Sequence, residues 1–173
     1  MDLIVEHDDA WLPLFGMDHE PDDHRKVPST DVLEAYFHAF QRQGAIAGLL
    51  LAPENDIVAA ASVHVLPQRS GDDVLRRFRR HPLVVSDTTT SDQPTPLGLA
   101  RRAQHDRLLE LPEGPDDQPR VVLWRHLVWI WDVRTTAASV LVTLSSECPS
   151  PHPAVDVVPL VDDLALGLRR GAD

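Results

Sequence analysis

A chain of 173 residues carrying 27 acidic against 16 basic side chains, formal charge −11, is one domain's worth of sequence. Folded, it can bury roughly two-thirds of the surface its unfolded form exposes. So negative a surface repels phosphate backbones and anionic lipid headgroups, which sets nucleic acid and membrane surfaces aside as partners.

In chain order, the first 28 residues read as an irregular acidic segment. Leu3-Ile4-Val5 suits a short strand or a helix start, Trp11-Leu12-Pro13-Leu14-Phe15 is an apolar anchor, and Asp18 to Lys26 is a charged loop without apolar period. Acids at Asp2, Glu6 and Asp8 oppose a signal peptide, no apolar run approaches the ~18 residues of a spanning helix, and the expected compartment is the cytoplasm. Ser29 or Thr30 can cap a helix whose Asp31 and Glu34 lie at the positive end of its dipole. Val32, Leu33, Tyr36, Phe37 and Phe40 recur there at helical spacing, Gly44 stops the helix, and the stripe needs a sheet to pack on.

Ala45 to Leu51 and Ile57 to Leu66 follow as strands, joined by the turn formers Pro53-Glu54-Asn55-Asp56 into an antiparallel hairpin. Ser70 caps a helix reaching Arg80, whose Arg76, Arg77, Arg79 and Arg80 form a solvated face or a protein-contact patch. Leu83-Val84-Val85 reads as a strand giving way to a polar loop through residue 96. Residues 98–109 are ambiguous: Leu97, Ala100, Ala103 and Leu108 suit a helix, whereas Gly98 and the hairpin that follows favour a strand. Pro112 to Asp117 is a turn-rich connector.

Two β-branched and aromatic runs then form the fold signature, Val121 to Asp132 and Ala138 to Ser145, read as adjacent antiparallel strands. In the first, Val122, Trp124, His126, Val128 and Ile130 share one face; Leu123, Leu127, Trp129 and Trp131 share the other, with Arg125 its one polar member. Both faces are apolar, as in a central strand covered by a helix on one side and by something else, such as another chain, on the second. Trp124 is read as core. Trp129 and Trp131 either fill the core or anchor an interface. After a proline-rich break, Val155 to Arg170 reads as a closing helix.

Pro96-Leu97-Gly98-Leu99-Ala100-Arg101-Arg102, the strand ending Val142-Thr143-Leu144-Ser145, and the segment from Leu160-Val161-Asp162-Asp163-Leu164-Ala165 to Leu168-Arg169-Arg170 together resemble bacterial members of the PsbP-like superfamily over residues 96–170. That superfamily includes the extrinsic oxygen-evolving subunit of photosystem II, a Ran GTPase release factor and DcrB-type chaperones. The resemblance implies that residues 98–109 are a strand, that the fold is an antiparallel sheet flanked by helices, and that the protein is a scaffold or partner-binding protein. It carries over no functional residue.

Asp18, His19, Glu20, Asp22, Asp23 and His24 include metal-ligand types, but nothing around them fixes three or four donors, so a solvated loop and no metal are expected. His64 and His126 lie in strands without an evident nucleophile or paired carboxylates, which favours hydrogen-bonded core histidines over a catalytic base. Cys148, the only cysteine, allows no intrachain disulfide, and the nearby His152 has no third group to orient it, so the thiol is read as inert. None of the eight glycines falls in a phosphate-cradling pattern, and no cofactor is expected.

The resulting expectation is a single α+β domain with an antiparallel sheet flanked by helices, a non-catalytic adaptor, chaperone or assembly component. It would bind another protein, or a second copy of itself, through an apolar sheet face that includes Trp129, Trp131, Arg125, Trp124 and His126. The alternative is a small-molecule-binding domain or enzyme with a tryptophan-lined pocket and a histidine at its mouth.

Overall fold

The computed structural model describes residues 2–16, 28–52, 57–67, 69–111, 120–134, 138–149 and 155–171. Strands β1 (Leu3–Val5) and β2 (Trp11–Phe15) precede helix α1 (Thr30–Arg42). Strands β3 (Ala47–Leu51) and β4 (Ala59–Pro67) lead to α2 (Gly71–Arg79). Then come the strands β5 (Thr89–Thr95), β6 (Gly98–Leu111), β7 (Arg120–Arg134) and β8 (Ser139–Pro149), α3 (Val157–Leu166) and β9 (Leu168–Arg170). Seven strands form one sheet in the order β2-β3-β4-β8-β7-β6-β5, and β1 and β9 form a separate two-stranded ribbon. Every pairing is antiparallel. Among the described residues the result is mostly sheet, with three helices.

Alternation along β7 divides the molecule into layers. Leu127, Trp129, Trp131 and Val133 enter a core shared with Val157, Val161, Leu164 and Ala165 of α3. Val128 and Ile130, pointing the other way, pack with Ala103, Leu141 and the α2 residues Leu75 and Phe78. Helix α1 covers the far end of that second face, where Phe40 packs on β3 at Gly48. A Cβ built on Gly48 would lie 2.5 Å from the Phe40 ring and 2.9 Å from the Phe15 ring, so glycine is what lets the helix approach. The caps follow local chemistry: Ser70 Oγ accepts from Asp73 N (3.2 Å) at the start of α2, and Gly44, at φ +74°, turns the chain out of α1.

Several sequence expectations need correcting. The N-terminal segment is not irregular throughout, because Leu3–Val5 is a ribbon strand and the Trp11–Phe15 anchor is an edge strand of the main sheet with Trp11 1 % exposed. The polar stretch assigned to a loop holds β5. Edge position explains this, since one ladder to β6 suffices, polar side chains face water, and Pro94 is tolerated where only one side needs hydrogen bonds. Leu83-Val84-Val85 is no regular strand; Val84 makes a lone antiparallel bridge to Arg107. Residues 98–109 are strand, turned from β5 through Pro96-Leu97 with Gly98 at φ +129°. The closing helix stops at Leu166, because Glu6 N bonds Gly167 O (3.0 Å) and the chain continues as β9 against β1. Finally, over residues 127–133 both faces of β7 are covered by helices of this same chain, α3 on one and α2 on the other.

Candidate functional site

Trp129 and Trp131 are the residues on which the interface expectation rested, and the fold places them elsewhere. They are 0 % and 1 % exposed, stacked at 6.0 Å and 17°. Their polar edges are spent internally: Trp129 Nε1 donates to Asp162 Oδ1 of α3 (3.1 Å), and Trp131 Nε1 to Thr95 Oγ1 (2.9 Å). Arg102 adds a bond from Nε to the same Asp162 oxygen (2.8 Å), its guanidinium carbon 6.0 Å from the Trp129 ring centre. Both indoles are therefore core pillars that fasten α3 and the β5–β6 turn to the sheet. Side chains this completely buried within one chain offer a partner no surface, which corrects their assignment as binding residues.

Arg125 remains near the surface on that face, forked onto its cross-strand partner Asp106 through Nε (2.8 Å) and Nη2 (3.1 Å). Trp124 and His126 face the other way, both half-buried, toward α2. His126 belongs to a polar cluster that the register of β6, β7 and β8 assembles under α2. His105 sits opposite His126, and His126 opposite Glu147. Phe78 stacks on His105 at 4.0 Å and 28° and tilts against His126 at 4.7 Å. Glu147 Oε1 accepts from the buried Arg107 Nη2 (2.5 Å), and Arg107 Nη1 lies 3.4 Å from His81 Nε2. On α1, burial and then the Glu147 charge raise the Tyr36 phenol above the ordinary value.

Burial and then the Arg107 charge, followed by the neighbouring imidazoles, push His126 down to about 3. His105 falls to about 4, from burial and then Arg107 and His81, with Asp106 opposing. Both rings are neutral near pH 7.

His126 Nε2 lies 2.8 Å from Ser145 Oγ and 3.8 Å from Glu147 Oε1. The residue types are those of a nucleophile, base and orienting acid, but the arrangement is wrong for that work. Serine and carboxylate address the same nitrogen, whereas a relay needs the acid on the opposite one, and Nδ1 has no partner among the described residues. An imidazole that takes a proton only near pH 3 is also a poor base at neutral pH. His64 is bonded to its neighbour, Nε2 to Ser62 Oγ at 3.0 Å, with its pKa lowered chiefly by burial. Cys148 is 2 % exposed, and burial raises its thiol to about 11 although Arg125 opposes the rise.

No family model matches the chain, and no curated protein matches it.

One exposed feature remains on the α3 face, past the end that α3 covers. Leu108 and Leu123 are cross-strand partners, 42 % and 37 % exposed. Leu83 O accepts from Leu108 N (3.1 Å), and the Val84–Arg107 bridge sets Leu83 beside Leu108. Leu83, Leu108 and Leu123 thus form a row across three adjacent chain segments, flanked by exposed Val85 and Val121 and by the Arg125–Asp106 pair. Sequence reasoning missed this row because it depends on residues 98–111 being a strand and on their register. It also missed His105, Arg107 and Glu147, scattered over 43 positions that only the ladder brings together.

Among the described residues no group of histidine, cysteine and carboxylate side chains is placed to hold a metal, and no helix is long and apolar enough to cross a membrane. The Asp18 to His24 cluster and His152 lie outside the described residues.

Proposed function

We propose that the protein is a non-catalytic, protein-binding component of adaptor or chaperone type acting in the cytoplasm, and that its contact surface is the apolar row Leu83, Leu108 and Leu123 with Val85 and Val121. The observation that carries this reading is the clustering of five exposed aliphatic side chains at one end of a single sheet face. Scattered surface leucines are ordinary, whereas a contiguous apolar patch with a polar rim is the anatomy of an interface. Arg125, half-buried and locked by Asp106, supplies that rim and keeps its place in the binding set. A PsbP-like relationship accords with this reading, since an antiparallel sheet flanked by helices and a partner-binding role are what that resemblance implies.

The test is a paired substitution, Leu108→Thr with Leu123→Thr, which keeps strand-forming side chains while removing apolar area. Sedimentation of the purified protein shows whether the partner is a second copy, and cross-linking in cell extract with mass spectrometry identifies any other. The wild type should hold a defined partner that the double variant loses, with the melting temperature of the variant within a few degrees. An unchanged partner set in the variant would sink the proposal.

A further inference from the structure

On the opposite side of the sheet, α2 turns its packing residues Gly71, Leu75 and Phe78 inward. Its outward face has a different character. Arg69, Asp73, Arg76, Arg77 and Arg80 recur at helical spacing, and with His81 and Pro82 they line a concavity of about 670 Å³. Asp73 is the only acid among the described residues that line it, and it is engaged by Arg76 at 3.1 Å. Among the described residues no carboxylate lies within ion-pair distance of Arg69, Arg77 or Arg80. In a chain of net charge −11, three arginines without acidic partners in one hollow are a local exception that needs a cause.

The helix dipole supplies part of one, because cations in the last turn face the negative helix end. It does not account for Arg69. That residue precedes the helix cap at Ser70, where the dipole is positive and a cation is disfavoured, yet it converges on the same hollow. His81 closes the inner end of the hollow, its Nε2 accepting from Arg107 Nη1 at 3.4 Å. We propose that this hollow binds a phosphate monoester group, carried by a small molecule or by a phosphorylated side chain.

The chemistry fits that group better than its rivals. A lone carboxylate offers two oxygens and one charge, whereas a phosphoryl dianion offers three oxygens and close to two charges, matching several guanidinium forks at once. A long polyanion is disfavoured by the net charge of −11 on the chain as a whole, and at physiological salt only charges within about 8 Å add to the local attraction. The ligand is therefore compact, and the site is independent of the apolar row on the other face.

Isothermal titration and amide NMR of the full chain with inorganic phosphate, phosphoserine and acetate, at matched ionic strength, test this. Phosphate and phosphoserine should bind at least tenfold more tightly than acetate, shifting amides of residues 69–82. The exposed substitutions Arg77→Gln and Arg80→Gln, singly and together, should weaken phosphate binding stepwise, tenfold or more for the pair. Arg79→Gln, at a position that does not line the hollow but a neighbouring groove with Asp92 and Arg101, should leave it within twofold. A phosphoserine peptide binding more tightly than free phosphoserine would place the group on a protein; equal affinities would place it on a small molecule, and both outcomes support the site. Acetate binding as well as phosphate, indifference to the double substitution, or tighter binding of duplex DNA or phosphatidylserine vesicles at the same salt would overturn it.

Discussion

Acidification should unfold this protein through two residues, and the size of the effect follows from their surroundings. His105 is 2 % exposed, and the His126 side chain is 16 % exposed. The fold lowers both pKa values from 6.5, to about 4 and about 3. A depressed native pKa means that below pH 6.5 the unfolded chain binds protons the native protein refuses. The stabilisation is thus complete above pH 6.5 and is lost as pH falls toward the folded values. At about pH 5 each histidine has forfeited about 1.5 units, roughly 2 kcal/mol apiece. Together that is about 4 kcal/mol, a large part of the 5–15 kcal/mol typical of a folded domain. Urea unfolding followed by tryptophan fluorescence at about pH 7.5 and about pH 5 measures it directly. His126→Gln, which keeps a polar partner for Ser145 and cannot titrate, should remove about half of the difference. A wild-type loss below about 1 kcal/mol, or a variant with an unchanged pH slope, would refute the account of the cluster as neutral, arginine-flanked and desolvated.

Three further outcomes follow from the same packing. Trp129→Ala should cost about 3–5 kcal/mol in chemical denaturation, since it empties a fully buried site and releases Asp162 of α3; a loss under about 1 kcal/mol would contradict its role as a core pillar. Ser70→Ala should lower stability by about 1 kcal/mol through the lost bond to Asp73 N, read in the same assay. Cys148 should resist iodoacetamide at pH 8 in the native state and react promptly in urea, because burial raises its pKa to about 11; rapid native alkylation, seen by mass spectrometry, would contradict the buried environment.

Local patterning carried much of the fold. The stripe of α1, the cap of α2, the β3–β4 hairpin and the alternation of β7 each arise from residues within a few positions of one another, so sequence alone determined them. Strand β5 left no such mark: exposed on an edge, it owes its conformation to the hydrogen bonds of β6, and its own residues show no apolar period. The same limit governed the tryptophans. Their size and spacing announced a large apolar surface, but only the docking of α3, with Asp162 reaching Trp129, decided that this surface is core. Exposure is a property of what packs on a strand, and that partner is distant in sequence. His105, His126, Arg107 and Glu147 make the point for chemistry, because cross-strand register gathers them, and a shift of one residue would send them to opposite faces.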